Sequence, residues 1–201
     1  MKKIAITPRL VENESYHEIR EVIDTRWGCL LIECGIVPFV FVTDFTLKLF
    51  DELSFDGVIL TGGNDLNSVT PNKLSEKRDL FEKHLLKYCI DKKIPVFGVC
   101  RGCQFIASFF GAKLQKISDH VAVRHKLVKE YAGLSEVNSY HHWEIVELPY
   151  CFDVLATTSD GCIEAIKHKE YPISAVMWHP ERENPFRQED CKIICESFNI
   201  F

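Results

Sequence analysis

The stretch Ile94-Pro95-Val96-Phe97-Gly98-Val99 runs directly into Cys100-Arg101-Gly102-Cys103-Gln104, and this junction constrains the fold more than any other part of the chain. Residues 94–99 are short and apolar, the pattern of a strand buried on both faces. Residues 104–110 are apolar at most positions and stop at Gly111, the pattern of a helix with a glycine terminator. Cys100 therefore stands where a strand turns sharply into a helix. Gly98 and Gly102 flank it two positions to either side, as a turn too crowded for side chains requires.

That placement suits a nucleophile. A helix N-terminus favours negative charge, hence the thiolate, and the Arg101 N–H faces any oxyanion formed at Cys100. Other readings of the same residues stay open. Cys100 is one of nine cysteines, a residue type that is commonly buried and inert. Cys100 and Cys103 also form a C-x-x-C at a helix start, the signature of thiol redox proteins. Zinc is not expected: there is no second C-x-x-C, and Cys29/Cys34 and Cys191/Cys195 have poor ligand spacing.

Residues 173–178 read as another buried strand, which delivers His179, Pro180 and Glu181 at its C-terminal end. Active sites of open α/β sheets assemble at that edge. His179 is placed to take the Cys100 proton, and Glu181 to fix the imidazole tautomer. The run Asp56-Gly-Val-Ile-Leu-Thr-Gly-Gly-Asn-Asp65 is a third strand ending in a glycine turn. Alone, Gly62-Gly63 marks only a loop. Beside Cys100, the Gly63 N–H is a second oxyanion donor.

Taken together, Gly98-Val-Cys-Arg-Gly-Cys-Gln104, Thr61-Gly-Gly-Asn-Asp65, Val137-Asn-Ser-Tyr-His-His142 and Trp178-His-Pro-Glu181 resemble the class I glutamine amidotransferase-like superfamily. The Asn-Ser-Tyr-His-His segment and Arg78-Asp-Leu-Phe-Glu82 resemble its γ-glutamyl hydrolase branch. The similarity runs from Ile4 to Glu181. It implies a Cys100–His179–Glu181 triad, an oxyanion hole of Gly63 and Arg101 N–H groups, and a small γ-glutamyl amide as substrate. It also implies that Gly62, Gln104, Asn138, Ser139, Tyr140 and His141 hold the glutamyl group. From the residues alone, Gln104 could equally cap its helix, and His141 and His142 could be half-buried strand residues. An ammonia-supplying glutaminase subunit would carry the same triad. The chain departs from the family pattern in a short loop after Gly63, in Trp143 after the histidine pair, and in Met177 before Trp178.

Length and charge bound the rest. At 201 residues the chain is expected to be one domain, 1–201, with a substantial core. No run is long and apolar enough for a membrane span, and Met1-Lys-Lys leads into a strand rather than a signal sequence. Most of the cysteines are therefore expected to be reduced thiols of a cytoplasmic protein. A net charge of −5 argues against general nucleic-acid binding. A local basic pocket for a nucleotide substrate remains compatible with it, with Arg9, Arg26, Lys73, Arg101 and Arg124 as candidate cations. The chemistry requires no cofactor, no metal and no obligatory protein partner.

The pattern along the chain predicts strands at 2–6, 38–42, 58–60, 94–99 and 173–177, with a polar loop at 8–14. Helices are predicted at 18–34, 47–53, 76–92 and 188–200. Alternating strands and helices imply a mainly parallel, flavodoxin-like sheet flanked by helices. After Gly111, short β-rich segments at 122–128, 137–139, 144–147, 154–158 and 163–168 predict a small antiparallel extension, with Asp160-Gly161 as a hairpin turn. Residues 119–125 either line the mouth of the site or form plain surface strand.

Overall fold

The computed structural model describes residues 1–43, 52 and 54–200. Its first half contains β1 (Lys2–Thr7), β2 (Arg9–Asn13), β3 (Glu18–Val22), α1 (Arg26–Glu33), β4 (Ile36–Val40), β5 (Gly57–Leu60), α2 (Lys73–Lys92), β6 (Val96–Val99) and α3 (Arg101–Phe109). Its second half contains β7 (Lys113–Lys116), β8 (Val121–Tyr131), β9 (Leu134–Tyr140), β10 (Trp143–Glu147), β11 (Phe152–Thr157), β12 (Ile163–His168), β13 (Ile173–Val176) and α4 (Gln188–Ser197). Seven strands form one sheet in the order β11-β12-β13-β6-β5-β1-β4. The run from β13 to β4 is parallel, while β12 and β11 join antiparallel at one edge.

The central strands are covered on both faces, so period-two alternation divides their side chains between two cores. Ile4, Ile6, Ile59, Phe97 and Val99 pack with Trp27, Leu30 and Leu31 of α1 and with Ile193 and Ile194 of α4. Ala5, Val58, Leu60 and Val96 point the other way, onto Phe81, Leu85 and Leu86 of α2 and Phe105 and Ile106 of α3. Each large apolar side chain buried this way contributes roughly 1.5–3 kcal/mol. Helix α2 starts where the Asn72 side chain accepts the Ser75 N–H at 2.9 Å, and it ends at Lys93, whose φ is 55°.

The antiparallel extension is present. β8 pairs with β9, β7 with β10, and β11 turns into β12 through Asp160 and Gly161, where φ reaches 90°. The main difference from the sequence reading lies at residues 8–34. In place of a loop and one long helix, β2 and β3 form an antiparallel hairpin with Arg9 opposite Val22, and only residues 26–33 are helical. Strand β3 is largely exposed, so cross-strand hydrogen bonds rather than burial hold it. Hydrophobic periodicity carries no such signal. The helix predicted at 47–53 lies outside the described residues.

Helix α4 docks through a buried polar contact. The Trp178 indole N–H donates to Asp190 Oδ1 at 2.8 Å, while Asp190 Oδ2 has no hydrogen-bond partner. Burial pushes the Asp190 carboxyl up from its ordinary 3.8 to about 7, despite the opposing Trp178 hydrogen bond. A raised folded-state pKa gives stability that is fully present below the unfolded value and lost as pH rises through the folded one. The thermal stability advantage of Asp190→Asn over wild type is therefore expected to grow between about pH 4 and pH 7 and to stay level above it. Paired melting curves across that range check this, and a gap that does not change with pH would contradict it.

Candidate active site

Cys100 joins β6 to α3 with φ 53° and ψ −107°, a conformation that costs a non-glycine residue of the order of 1–3 kcal/mol and persists only where the surroundings enforce it. Here they do. The Cys100 N–H donates to Val176 O of β13 at 2.8 Å, and Cys100 O accepts the Gln104 N–H at 3.1 Å. The first turn of α3 is pressed against the sheet: a Cβ on Gly102 would lie 2.0 Å from Leu60 O, and one on Gly98 2.8 Å from the Gly102 carbonyl. Both glycines flanking Cys100 are thus set by close backbone approach.

His179 and Glu181 follow β13, the parallel neighbour of β6. His179 Nδ1 lies 2.6 Å from Glu181 Oε1, and both side chains are almost wholly buried. A carboxylate only accepts, so Nδ1 carries the proton and Nε2 is left for Cys100. Burial opposes charge on this imidazole. Its charge and hydrogen-bond interactions with Cys100 and Glu181 outweigh it and raise the group to about 9. Asn138 of β9 fixes the histidine backbone from both sides, accepting the His179 N–H at 2.9 Å and donating to His179 O at 2.9 Å. Arg26 of α1 donates to the carbonyls of Glu181 and Glu183 and so anchors the next turn.

Gly62 fills the remaining side of the pair. A Cβ there would lie 2.8 Å from His179 Cε1 and 3.6 Å from Cys100 Cβ. Gly63 follows with φ 101°, packed against Arg9. This loop is held from behind by a buried ionic cluster. Arg78 donates to Gly62 O at 2.9 Å and to Thr61 O at 2.8 Å. Glu82 accepts from Arg78 Nε at 3.0 Å, from Thr7 Oγ1 at 2.7 Å and from Arg101. Arg101 also pairs with Asp79. Desolvation pushes the Arg78 guanidinium down to about 9, so it stays charged at neutral pH.

Two cavities meet at His179. One, of about 180 Å³, is lined by Cys100, Gln104, Tyr140, His141 and Trp143. The other, of about 220 Å³, is lined by Arg9, Asp24, Trp27, Thr61 and Glu181. Gly63, His179 and Arg182 belong to both. The sequence-derived residues Cys100, Gly62, Gly63, Arg101, Gln104, Tyr140, His141, His179 and Glu181 are thus brought together. The Asn138 and Ser139 side chains are engaged within the protein: the first clamps His179, and the second donates to His120 O at 2.7 Å. Gln104 does not cap its helix; its amide donates to Trp143 O at 3.0 Å.

Of the five candidate cations, Arg9 and Arg101 line these two cavities, and the Arg101 guanidinium is spent on Glu82 and Asp79. Arg26 holds backbone carbonyls, and Arg124 pairs with Glu136 and Glu183. Arg182, which sequence reasoning missed, sits over the Tyr140 ring at 4.3 Å between the two cavities. Its position right after Glu181 was the available signal. All nine cysteines are free thiols. Cys103 is fully buried and its thiol is pushed well up by desolvation, the opposite of a reactive redox thiol. No helix among the described residues is long and apolar enough to cross a membrane.

Residues 4–181 match the peptidase C26 family, and the chain belongs to that family. It is 38% identical to the γ-glutamyl-CDP-amidate hydrolase of Campylobacter jejuni subsp. jejuni serotype O:2, over 98% of both chains. It is 34% identical to one of the subunits of the glutamine-hydrolysing GMP synthase of Pyrococcus abyssi, over 79% of this chain and 81% of that one. The crystal structure of a GMP synthase-type subunit from Thermoplasma acidophilum superposes with a TM-score of 0.73 at 24% identity, covering 100% of this chain and 94% of the other. The last likeness establishes a shared fold, a mixed sheet with a parallel core flanked by helices.

The ionic cluster makes Glu82 a sensitive position. Glu82→Gln leaves two buried guanidinium groups without their shared carboxylate, which is expected to cost about 3–5 kcal/mol of folding stability. Urea unfolding measures this; a loss below about 1 kcal/mol would show that Asp79 alone suffices.

Proposed function

We propose that this chain is a cysteine hydrolase that cleaves the γ-glutamyl amide bond of γ-glutamyl-CDP-amidate, a step in capsular phosphoramidate synthesis, and releases L-glutamate. The observation that carries this reading is the placement of Cys100 and the buried His179–Glu181 pair at the junction of two cavities. One cavity has the size and polar lining for a glutamyl group. The other offers Arg9, Arg182 and the Trp27 side for a charged nucleotide leaving group. The relative from Campylobacter jejuni, similar from end to end, supports the same substrate.

In this mechanism Cys100 Sγ attacks the γ-carbonyl carbon. The resulting oxyanion is held by the N–H groups of Gly63 and Arg101; the latter, in the first turn of α3, has no intrahelical acceptor. A donor of this kind contributes about 2.7–4 kcal/mol to the transition state. Collapse breaks the C–N bond, and His179 gives its proton to the departing nitrogen. This leaves a γ-glutamyl thioester. Water then attacks the same carbon while His179 takes its proton, the C–S bond breaks, and glutamate leaves.

Glutamate release by the purified chain tests the proposal. The panel comprises glutamine, a γ-glutamyl amine, a γ-glutamyl peptide and γ-glutamyl-CDP-amidate. The nucleotide substrate is expected to be preferred, and Cys100→Ala to lower turnover by at least about 10³-fold. Arg9→Ala is expected to cost about 10–100-fold on the nucleotide substrate, one charge-assisted hydrogen bond, and to spare glutamine. The Pyrococcus relative favours a second reading, a glutaminase that works within a synthetase complex. Silence on the whole panel until a synthetase partner is added would select it.

The raised His179 pKa sets the alkaline side of the pH profile. The imidazolium is present at neutral pH and is lost above about 9, so kcat/KM is expected to fall there. Because the Glu181 charge helps raise the His179 pKa, Glu181→Gln should move the alkaline limb to lower pH. A limb that stays in place would remove Glu181 from its orienting role.

A further inference from the structure

Beyond the catalytic pair, four buried side chains converge near the β11–β12 turn. They are His120 before β8, His141 after β9, Cys162 before β12 and Glu164 within it. None is more than 2% exposed. One donor atom from each lies within 4.8 Å of all the others.

Their hydrogen bonds fix which atoms face inward. His120 Nε2 lies 2.9 Å from the Asp160 carboxylate, which only accepts, so Nε2 bears the proton and Nδ1 is a bare lone pair. That Nδ1 is buried and has no partner. His141 Nδ1 lies 3.1 Å from Trp143 O, again an acceptor, so Nδ1 bears the proton and Nε2 is bare. His141 Nε2 then faces Glu164 Oε1 at 3.5 Å, lone pair against lone pair. Neither that nitrogen nor either Glu164 oxygen has a hydrogen-bond partner. The Cys162 thiol lies in the same field, and burial together with the Glu164 charge pushes it above its ordinary range. Buried acceptors turned toward one another are costly unless a cation sits among them.

We propose that His120 Nδ1, His141 Nε2, Cys162 Sγ and Glu164 form a closed, four-coordinate site for a divalent transition-metal ion of the zinc type. The donor set of two imidazoles, one thiolate and one carboxylate suits such an ion. Two ligands about 2.0–2.1 Å from a tetrahedral zinc lie about 3.4 Å apart, close to the observed His141–Glu164 separation. The outer contacts also match a metal site: Asp160 and the Trp143 carbonyl each receive the remote N–H of a ligating histidine, which fixes its tautomer. On binding, Cys162 releases its proton and becomes the thiolate ligand.

The site has a structural consequence for catalysis. His141 also lines the smaller cavity, and the Trp143 carbonyl that orients it accepts from Gln104 as well. The ion therefore ties the wall of that cavity to the β11–β12 hairpin. The proposed ligands are scattered over residues 120–164, so the cysteine spacings considered in the sequence could not reveal them.

Elemental analysis of the purified chain and Co(II) titration after chelator treatment test the proposal. About one zinc per chain is expected, and Co(II) should give a thiolate-to-metal charge-transfer band with the intense visible bands of a four-coordinate ion. Both should persist in Cys100→Ala and be lost in Cys162→Ser. If Cys162→Ser fails to fold, as judged by circular dichroism, Glu164→Gln should alter the visible bands while keeping the charge-transfer band. Wild type that holds neither zinc nor a thiolate-bound Co(II) would overturn the proposal in favour of a proton shared by His141 and Glu164. A charge-transfer band that disappears in Cys100→Ala would overturn it too, placing the ion at the catalytic cysteine.

Discussion

The Glu82 carboxylate is the interaction on which the site depends. It receives Thr7 from the end of β1, Arg78 from its own helix and Arg101 from the start of α3. Arg78 in turn grips the carbonyls of Thr61 and Gly62. One buried anion thus fixes the C-terminal ends of two strands relative to the helix that begins at Cys100. With Asp79 the cluster has two guanidinium groups and two carboxylates, so its net charge is zero. A buried ion pair adds little net stability compared with apolar packing, but breaking it is expensive. Such a cluster specifies geometry. The geometry specified here is that of the Gly62–Gly63 loop against the first turn of α3, the two segments whose N–H groups are proposed to hold the oxyanion.

A comparable device holds the histidine. Asn138 closes two hydrogen bonds on the His179 backbone, and Arg26 fixes the turn that carries Glu181. With the backbone fixed, the Glu181 carboxylate orients the ring through Nδ1. The strained backbone at Cys100 is tolerated for the same reason: its N–H and C=O are both satisfied, and the turn on either side is locked by glycines that admit no Cβ. Strain at the proposed nucleophile and rigidity around it are one design.

Legibility in the sequence followed the physical origin of each element. Strands β1, β5, β6 and β13 and helices α2 and α3 were readable because burial on two faces writes a dense apolar pattern. Cys100, His179, Glu181 and Gly63 were readable because crowding and strand ends dictate residue type at fixed offsets. The β2–β3 hairpin was not, since an exposed strand held by backbone pairing leaves little trace in hydropathy. The side-chain bonds of Asn138 and Ser139 were not readable, because a polar residue in a motif can face a ligand or the backbone behind it, and only the fold decides. The cluster of His120, His141, Cys162 and Glu164 depends wholly on tertiary proximity and has no sequence spacing to find.

These differences are not spread evenly over the molecule. Of the departures from the family pattern, Met177 is fully buried in the core behind the sheet and lines neither site cavity, whereas Trp143 lines the smaller one beside Gln104. The larger cavity is built from Arg9 of β2, Val22 of β3, the connector Ile23-Asp24 and Trp27 of α1. That is the segment where hydrophobic periodicity failed. The chemistry common to acyl transfer lies on buried strands, whose sequences are constrained twice, by packing and by catalysis. On the proposed function, recognition of the leaving group falls to an exposed hairpin, which packing constrains weakly and which can therefore change without cost to the sheet. A fold arranged in this way can exchange its leaving-group specificity while keeping its thiol chemistry, and for the same reason the segment proposed to receive the leaving group is the part least visible in the sequence.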